Sequence, residues 1–384
     1  MRAEPDGVAE QVREAAAAGR RLFPRGAGSW WPDAPRDASL LDLRPFDALS
    51  RFDVADLVAT AGAGCPLDQL GARLAEQGAW LALDPPGISG RTLGGALAAG
   101  GGGPLAAGYG PPRDQVLGMT VVAGNGTTVR IGGRVVKNVA GFDLAKVVIG
   151  GHGGFGVITE VNLRLRARAE ADATRAWSGS LAAVAAATAR LLGSGAAPAA
   201  FEVTSPPLSA AVGYDRAWVL ALRSIGTARG VEEELDAAAR TVTALHDCRE
   251  IAPTPDTLHP TPWAEWQGMV GSWPVVLRIG SDPASWGDAV ALAGKHLGDL
   301  LGISVTVPRG TVRVGAGSVA PAVVHALRAA LAGRGWPVTL ERADAPTREA
   351  AGVWGALAPG VRQLTDALRA TFDPNGVFAV PLVA

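Results

Sequence analysis

The stretch Pro86-Gly87-Ile88-Ser89-Gly90-Arg91-Thr92-Leu93-Gly94-Gly95-Ala96-Leu97-Ala98-Ala99 runs directly into Gly100-Gly101-Gly102-Gly103-Pro104. It puts a small residue at nearly every place where a backbone could meet a ligand. Glycine loses more conformational freedom on folding than any other residue, so four in a row need something to offset them. A flexible linker is one account. Linkers, however, are richer in serine and are not entered through a Thr-Leu-Gly-Gly turn set in an apolar frame. An extended diphosphate lying against this backbone is the better account. The stretch is not a Walker A loop, because no Gly-Lys-Ser/Thr follows, and Gly94-Gly95 lack the further spaced glycine of a Rossmann fingerprint.

Two shorter stretches repeat the theme. Arg25-Gly26-Ala27-Gly28-Ser29 follows a strand-like Leu22-Phe23. Consecutive backbone N–H groups in such a loop form a nest for an anion, and glycine lets a phosphate reach them. Taken alone, this loop reads as an ordinary tight turn. Gly150 to Gly156, with His152 inside it, leads into Val157 to Leu165, whose alternation from Thr159 onward marks a half-buried strand.

Around these loops the chain reads as short mixed elements. A helix is expected over 5–19, capped by Asp6 and ended by Gly19, and another opens at Pro66 with Leu67, Leu70 and Leu74 on one face. Strands are expected at 40–43, 57–60 and 80–83, the last stopped by Asp84-Pro85-Pro86-Gly87. Gly124-Asn125-Gly126 joins strands 116–122 and 128–131 as a hairpin. Near residue 168 the composition changes. Helices at 181–192 and 231–245 then alternate with strands near 201–203, 218–222 and 275–279, which suits a sheet with helices on one face. A helix over 361–372 precedes the turn Asp373-Pro374-Asn375-Gly376. The expected organisation is residues 1–167, 168–345 and a tail 346–384 packing back on the first unit.

Composition narrows the function. The 384 residues carry a net charge of -1, which argues against a general nucleic-acid binder. Hydrophobic residues make up 48% and charged ones 18%, so a large core is expected and disorder is not. No stretch of about 20 apolar residues runs uninterrupted, so no membrane span is expected. Residues 1–13 have no signal-peptide pattern. Cys65 and Cys248 stand far apart, which suits a thiol-reduced, cytoplasmic protein.

The order Arg25-Gly26-Ala27-Gly28-Ser29, Thr92-Leu93-Gly94-Gly95, Gly108-Tyr109-Gly110, Arg113-Asp114-Gln115-Val116-Leu117-Gly118 resembles the FAD-binding domain of the vanillyl-alcohol-oxidase/PCMH superfamily. Val136-Lys137-Asn138-Val139-Ala140-Gly141-Phe142-Asp143-Leu144, Gly150 to Glu160 and the tail Phe372-Asp373-Pro374-Asn375-Gly376-Val377-Phe378 are similar to its glycolate oxidase and D-lactate dehydrogenase branch. The Gly132-Gly133-Arg134-Val135-Val136-Lys137-Asn138 form is nearest to FAD-binding subunits of bacterial glycolate oxidases.

The resemblance implies an α+β architecture: a PCMH-type FAD-binding domain of two α/β subdomains, an α+β cap, and a returning tail. It implies that Gly26, Ala27, Gly28 and Ser29 contact the FAD pyrophosphate with Pro86, Gly87, Thr92, Gly94 and Gly95. Ala98, Ala99 and Gly102 would pack along the cofactor, and Gly153, Gly156, Val157 and Ile158 along its ribityl and adenosine parts. Asp114 and Asp143 would brace the loops. Covalent attachment in the superfamily uses a His in the first loop or a Cys in the second. Neither is present, so noncovalent FAD is expected.

Catalytic relatives carry a His-x-His metal pair and a later Glu-His. Here His152, His246, His259, His296 and His325 are isolated, so no metal site is expected and the catalytic residues are unassigned. That places the chain as a partner of a homologous catalytic flavoprotein subunit and an iron–sulfur subunit, acting on a small 2-hydroxy acid, glycolate to glyoxylate. An autonomous flavin oxidase or dehydrogenase, or a noncatalytic assembly subunit with a vestigial site, are the alternatives. In the cap, Trp263 and Trp266 share a helix face and read as core before interface. Arg278, Arg309 and Arg313 read as surface ion-pair partners before carboxylate ligands.

Overall fold

The computed structural model describes residues 5–31, 33–87, 89–134, 143–252 and 263–380. Ile88, residues 136–142 of the Lys-Asn-Val-Ala-Gly motif (Lys137 included) and His259 therefore lie outside the described residues. The architecture is α+β, built on two antiparallel sheets. The first has five strands in the order Leu49–Asp53, Val58–Gly62, Val157–Arg164, Val116–Val122, Thr128–Gly132. Its central strand Val157–Arg164 alternates from Thr159 onward: Thr159, Val161 and Leu163 are buried while Glu160 and Asn162 are partly exposed. Helix Leu67–Ala75 buries Leu67, Leu70 and Leu74 against this sheet, the spacing of one helical stripe. Helix Leu93–Ala99 adds Leu93, Ala96 and Leu97 to the same core. Before the sheet, strands Arg21–Arg25 and Ala38–Asp42 pair in parallel.

The second sheet has eight strands, in the order Arg249–Ile251, Ala171–Gly179, Trp218–Gly226, Ala200–Thr204, Leu300–Thr306, Thr311–Ala316, Val275–Gly280, Val338–Arg342. Helices Leu181–Gly193, Ala228–Thr243, Trp286–His296 and Pro321–Ala332 bury their apolar residues on one of its faces. The opposite face meets helix Trp263–Ser272 and also Phe23, Trp30, Trp31 and Phe155 from the first half of the chain. Trp263 and Trp266 stack with their ring centroids 5.1 Å apart, both buried, so this pair is core.

After helix Pro359–Phe372 the chain pairs with the first strand. Leu22 N–H donates to Val377 O at 2.7 Å and Ala379 N–H to Leu22 O at 2.9 Å. The Asp373 carboxylate accepts from Val377 and Phe378 N–H and fixes the turn between them. Among the described residues, no helix is long and apolar enough to cross a membrane.

Two local expectations are corrected. The strand expected at 80–83 is only Ala79–Trp80, because its partner is the two-residue strand Arg166–Ala167 and Pro85-Pro86 stop any extension. The glycine run 100–103 is explained by protein packing, not by a diphosphate. A Cβ on Gly100 would lie 2.5 Å from Gly150 Cα, one on Gly103 would lie 1.8 Å from Asp84 O, and one on Gly101 would lie 3.2 Å from Glu341 Oε1. Each glycine is where another segment crosses.

Candidate cofactor site

Strand Arg21–Arg25 delivers the loop Gly26 to Trp31 to a cleft beside helix Leu93–Ala99. The backbone N–H groups of Gly26, Ala27, Gly28, Ser29 and Trp30 find no acceptor among the described residues. Ala27 and Ser29 are exposed, so water can serve their N–H groups, but Gly26 and Gly28 are half-buried and Trp30 is buried, where donors are nearly always paired; the run therefore offers a row of donors to an acceptor in the cleft. Gly28 sits at φ +70, where a side chain is strained, and lets the loop curl.

The loop is buttressed by Thr92. Its Oγ1 accepts from Gly95 N–H and so caps helix Leu93–Ala99. A Cβ on Gly26 would lie 2.1 Å from that same oxygen, so the first loop and the helix start are in contact through a missing side chain.

The cleft is lined by Phe23 to Trp31, Arg91, Thr92, Gly95, Ala98, Ala99 and His152. Gly26, Gly95, Ala98 and His152 also line an adjoining cavity, with Gly94, Gly153, Gly156, Val157 and Ile158. Gly153 has φ +88, and a Cβ there would meet only Pro24, at 3.7 Å. Thirteen of the residues expected from sequence therefore line one or other of these two adjoining cavities: Gly26, Ala27, Gly28, Ser29, Thr92, Gly94, Gly95, Ala98, Ala99, Gly153, Gly156, Val157 and Ile158.

Three stand apart. Gly87 faces a neighbouring cleft with Ser29, Trp30 and helix Trp263–Ser272, and it crosses Gly271 backbone to backbone. Pro86 accepts a hydrogen bond from Arg91 through its carbonyl. Gly102 lines a separate polar cavity with Arg278, Arg309, Arg313, Thr306 and Thr311. The relative weight of the two loops is also reversed. Gly94 N–H is taken by Ala63 O and Gly95 N–H by Thr92, whereas the first loop, which read as an ordinary turn, keeps its donors open.

Two further side chains, Arg91 and His152, complete the lining of the cleft. Arg91 is 2% exposed; Nη1 donates to Pro86 O at 2.8 Å, and the guanidinium lies 4.5 Å from the Trp30 ring centroid. Burial pushes it down to about 10. The sequence suggests a solvated or backbone-bonded His152 before one near a flavin; the ring is instead packed into the cleft. The backbone N–H reaches Ala98 O, but the ring stacks on Trp31 at 4.7 Å and Nε2 is buried without a partner among the described residues. Burial, then Arg278, push this imidazole down to about 3, so it is neutral at ordinary pH.

Arg313 and Arg278 are not surface pairs. Arg313 Nε donates to the buried Glu341 carboxylate at 2.8 Å. Arg278 Nε lies 2.7 Å from the other oxygen, close enough for an ion pair though not aligned as a hydrogen bond. Burial raises Glu341, but Arg313 and Arg278 outweigh it and bring the carboxyl to about 2. Asp143 braces its loop by accepting from Arg113 at 2.7 Å.

Comparison with known proteins agrees with this geometry. Residues 3–132 match the FAD binding domain family, and FAD is the cofactor that such a domain holds. The chain is 36% identical over 158 residues to the glycolate oxidase subunit GlcE of Escherichia coli K12, covering 41% of this chain and 45% of that one. It is 32% identical over 148 residues to the glycolate oxidase subunit GlcD of Bacillus subtilis, covering 38% and 31%. The match thus spans less than half the length of either relative. Among solved structures, p-cresol methylhydroxylase superposes with a TM-score of 0.77 at 16% identity, over 99% of this chain and 87% of that one.

Proposed function

We propose that this chain, a flavoprotein with a PCMH-type FAD-binding domain, is the FAD-binding subunit of a complex that oxidises a small 2-hydroxy acid, glycolate to glyoxylate. The observation that carries the reading is the row of open N–H donors from Gly26 to Trp30 facing Gly95 and Ala98. Donors in that row suit a diphosphate, and glycines opposite leave room for it to approach. Bound FAD would supply the two-electron acceptor that turns an alcohol into a carbonyl. The chain's own residues position it: Gly26 to Ser29 and Thr92 around the diphosphate, Ala98 and Ala99 beneath it, and Gly153 to Ile158 along its length.

The similarity to GlcE and GlcD supports assembly with a homologous catalytic flavoprotein subunit and an iron–sulfur subunit. So does the scatter of the histidines, none of which stands in a His-x-His or Glu-His pair. A second reading, autonomous turnover, is favoured by one observation. Arg309, which is in no ion pair among the described residues, lines the polar cavity beside Gly100 to Gly103 with Thr306, Thr311 and the Glu341-paired Arg278 and Arg313, a setting suited to a carboxylate.

The visible spectrum of the purified chain tests both. A flavin spectrum that leaves the protein on precipitation and is unchanged by anaerobic glycolate supports the subunit reading. Bleaching by glycolate supports the autonomous one. A chain that stays colourless and cannot be loaded with FAD overturns both.

A further inference from the structure

We infer that Arg91 is the side-chain clamp for the FAD diphosphate, acting with the open backbone donors of Gly26 to Ser29; the inference rests on the FAD-site reading above. Arg91 lines the same cleft as that loop. Its backbone is held in place, since its carbonyl accepts from Leu67 N–H at 2.9 Å, one residue before the Thr92 cap. One of its nitrogens is used, on Pro86 O, while Nε and Nη2 are buried with no partner among the described residues.

No carboxylate lies within ion-pair distance of it among those residues. The acid it feels most, Glu341, is already held by Arg313 and Arg278. Arg342 adds a second positive charge on the Trp30 ring, 5.9 Å from its centroid.

A guanidinium buried with open donors and no counter-ion is costly, and removing it should relieve the chain unless an anion is bound. The planar fork of arginine takes two phosphate oxygens at once, which the compact ammonium of lysine does not. The arrangement is therefore one in which the empty protein carries a strain that a dianionic group releases. A purely structural arginine would show the opposite pattern, with its donors spent on backbone carbonyls. Arg328 does this: its Nε donates to Val338 O, Nη1 to Ala351 O, and Nη2 to Gly352 O and Val353 O.

The test uses the full chain stripped of FAD, with Arg91→Met and Arg91→Lys. FAD is titrated by the change in its fluorescence, and ADP and glycolate are titrated by thermal shift. The expected result is that R91M weakens FAD and ADP alike, by about ten- to a hundredfold. Its FAD-free melting temperature should equal or exceed the wild type's, and R91K should bind both ligands between the two. Four results would overturn the inference: unchanged FAD affinity in R91M, a loss for FAD with none for ADP, R91K binding as tightly as wild type, or R91M altering only glycolate binding. A wild-type chain that binds no FAD would overturn the FAD-site reading along with it. Wild-type FAD binding that R91M leaves intact removes the clamp alone.

Discussion

Replacing Gly26 by alanine would put a Cβ 2.1 Å from Thr92 Oγ1 and 3.1 Å from Thr92 Cβ. Real Cβ atoms do not sit that close to a side-chain oxygen, so Thr92 must rotate or the loop must retreat. Rotation gives up the cap on Gly95 N–H, worth about 1 kcal/mol. The residual overpacking adds about 1–3 kcal/mol. The expected loss of folding stability is therefore about 2–4 kcal/mol, measured as a lower urea midpoint at unchanged m. Retreat of the loop would also misplace at least one N–H to the diphosphate, lowering FAD affinity by about tenfold or more.

Two companions make the reasoning sharp. Gly7 is exposed in the first turn of helix Pro5–Ala17, where a Cβ meets nothing within 4 Å, so Gly7→Ala should cost nothing and gain at most about 0.5 kcal/mol. In the double variant Gly26→Ala/Thr92→Ala the clashing oxygen is gone, so the two losses should add to less than their sum. A Gly26→Ala variant as stable as wild type within about 0.5 kcal/mol, with unchanged FAD affinity, would refute the contact.

Other perturbations test the buried polar groups. His152, held at about 3 against an ordinary 6.5, leaves the unfolded chain with more bound protons between those values. Its contribution is complete above pH 6.5 and is lost on acidification toward pH 3. Between pH 6.5 and 4.5 wild type should lose about 2 kcal/mol more than His152→Gln, read from urea titrations at each pH.

Glu202, pushed up to about 7 by burial, works in the other direction. Its contribution is present below the ordinary 4.5 and fades as pH rises through 7, so Glu202→Gln should lose less stability than wild type over pH 4.5 to 7. Glu341→Gln would strand Arg313 and Arg278 beside a neutral amide. A loss of about 3–5 kcal/mol in denaturant midpoint is expected. Asp373→Ala removes the acceptor of Val377 and Phe378 N–H at a buried turn and should cost about 1–3 kcal/mol, with faster proteolysis of the tail.

What the amino-acid sequence determined by itself was local. Val8 and Val12 four apart, the Leu67, Leu70 and Leu74 stripe, the Gly124-Asn125-Gly126 hairpin and the alternation after Thr159 are all carried by neighbours in the chain. Each therefore reads correctly without knowing the fold. The α+β class follows from the same short-range patterns, and the glycine loops announce close backbone approach.

Which partner makes each approach was decided by tertiary structure alone. Gly100 is pressed by Gly150, Gly103 by Asp84 and Gly87 by Gly271, segments far apart in sequence, and so those glycines serve packing. Gly26 to Ser29 keep their donors open because no strand or helix comes to pair with them. Arg91 and His152 become site residues for the same kind of reason. Burial and the absence of a partner are properties of everything folded around a side chain, and no spacing along the chain encodes them.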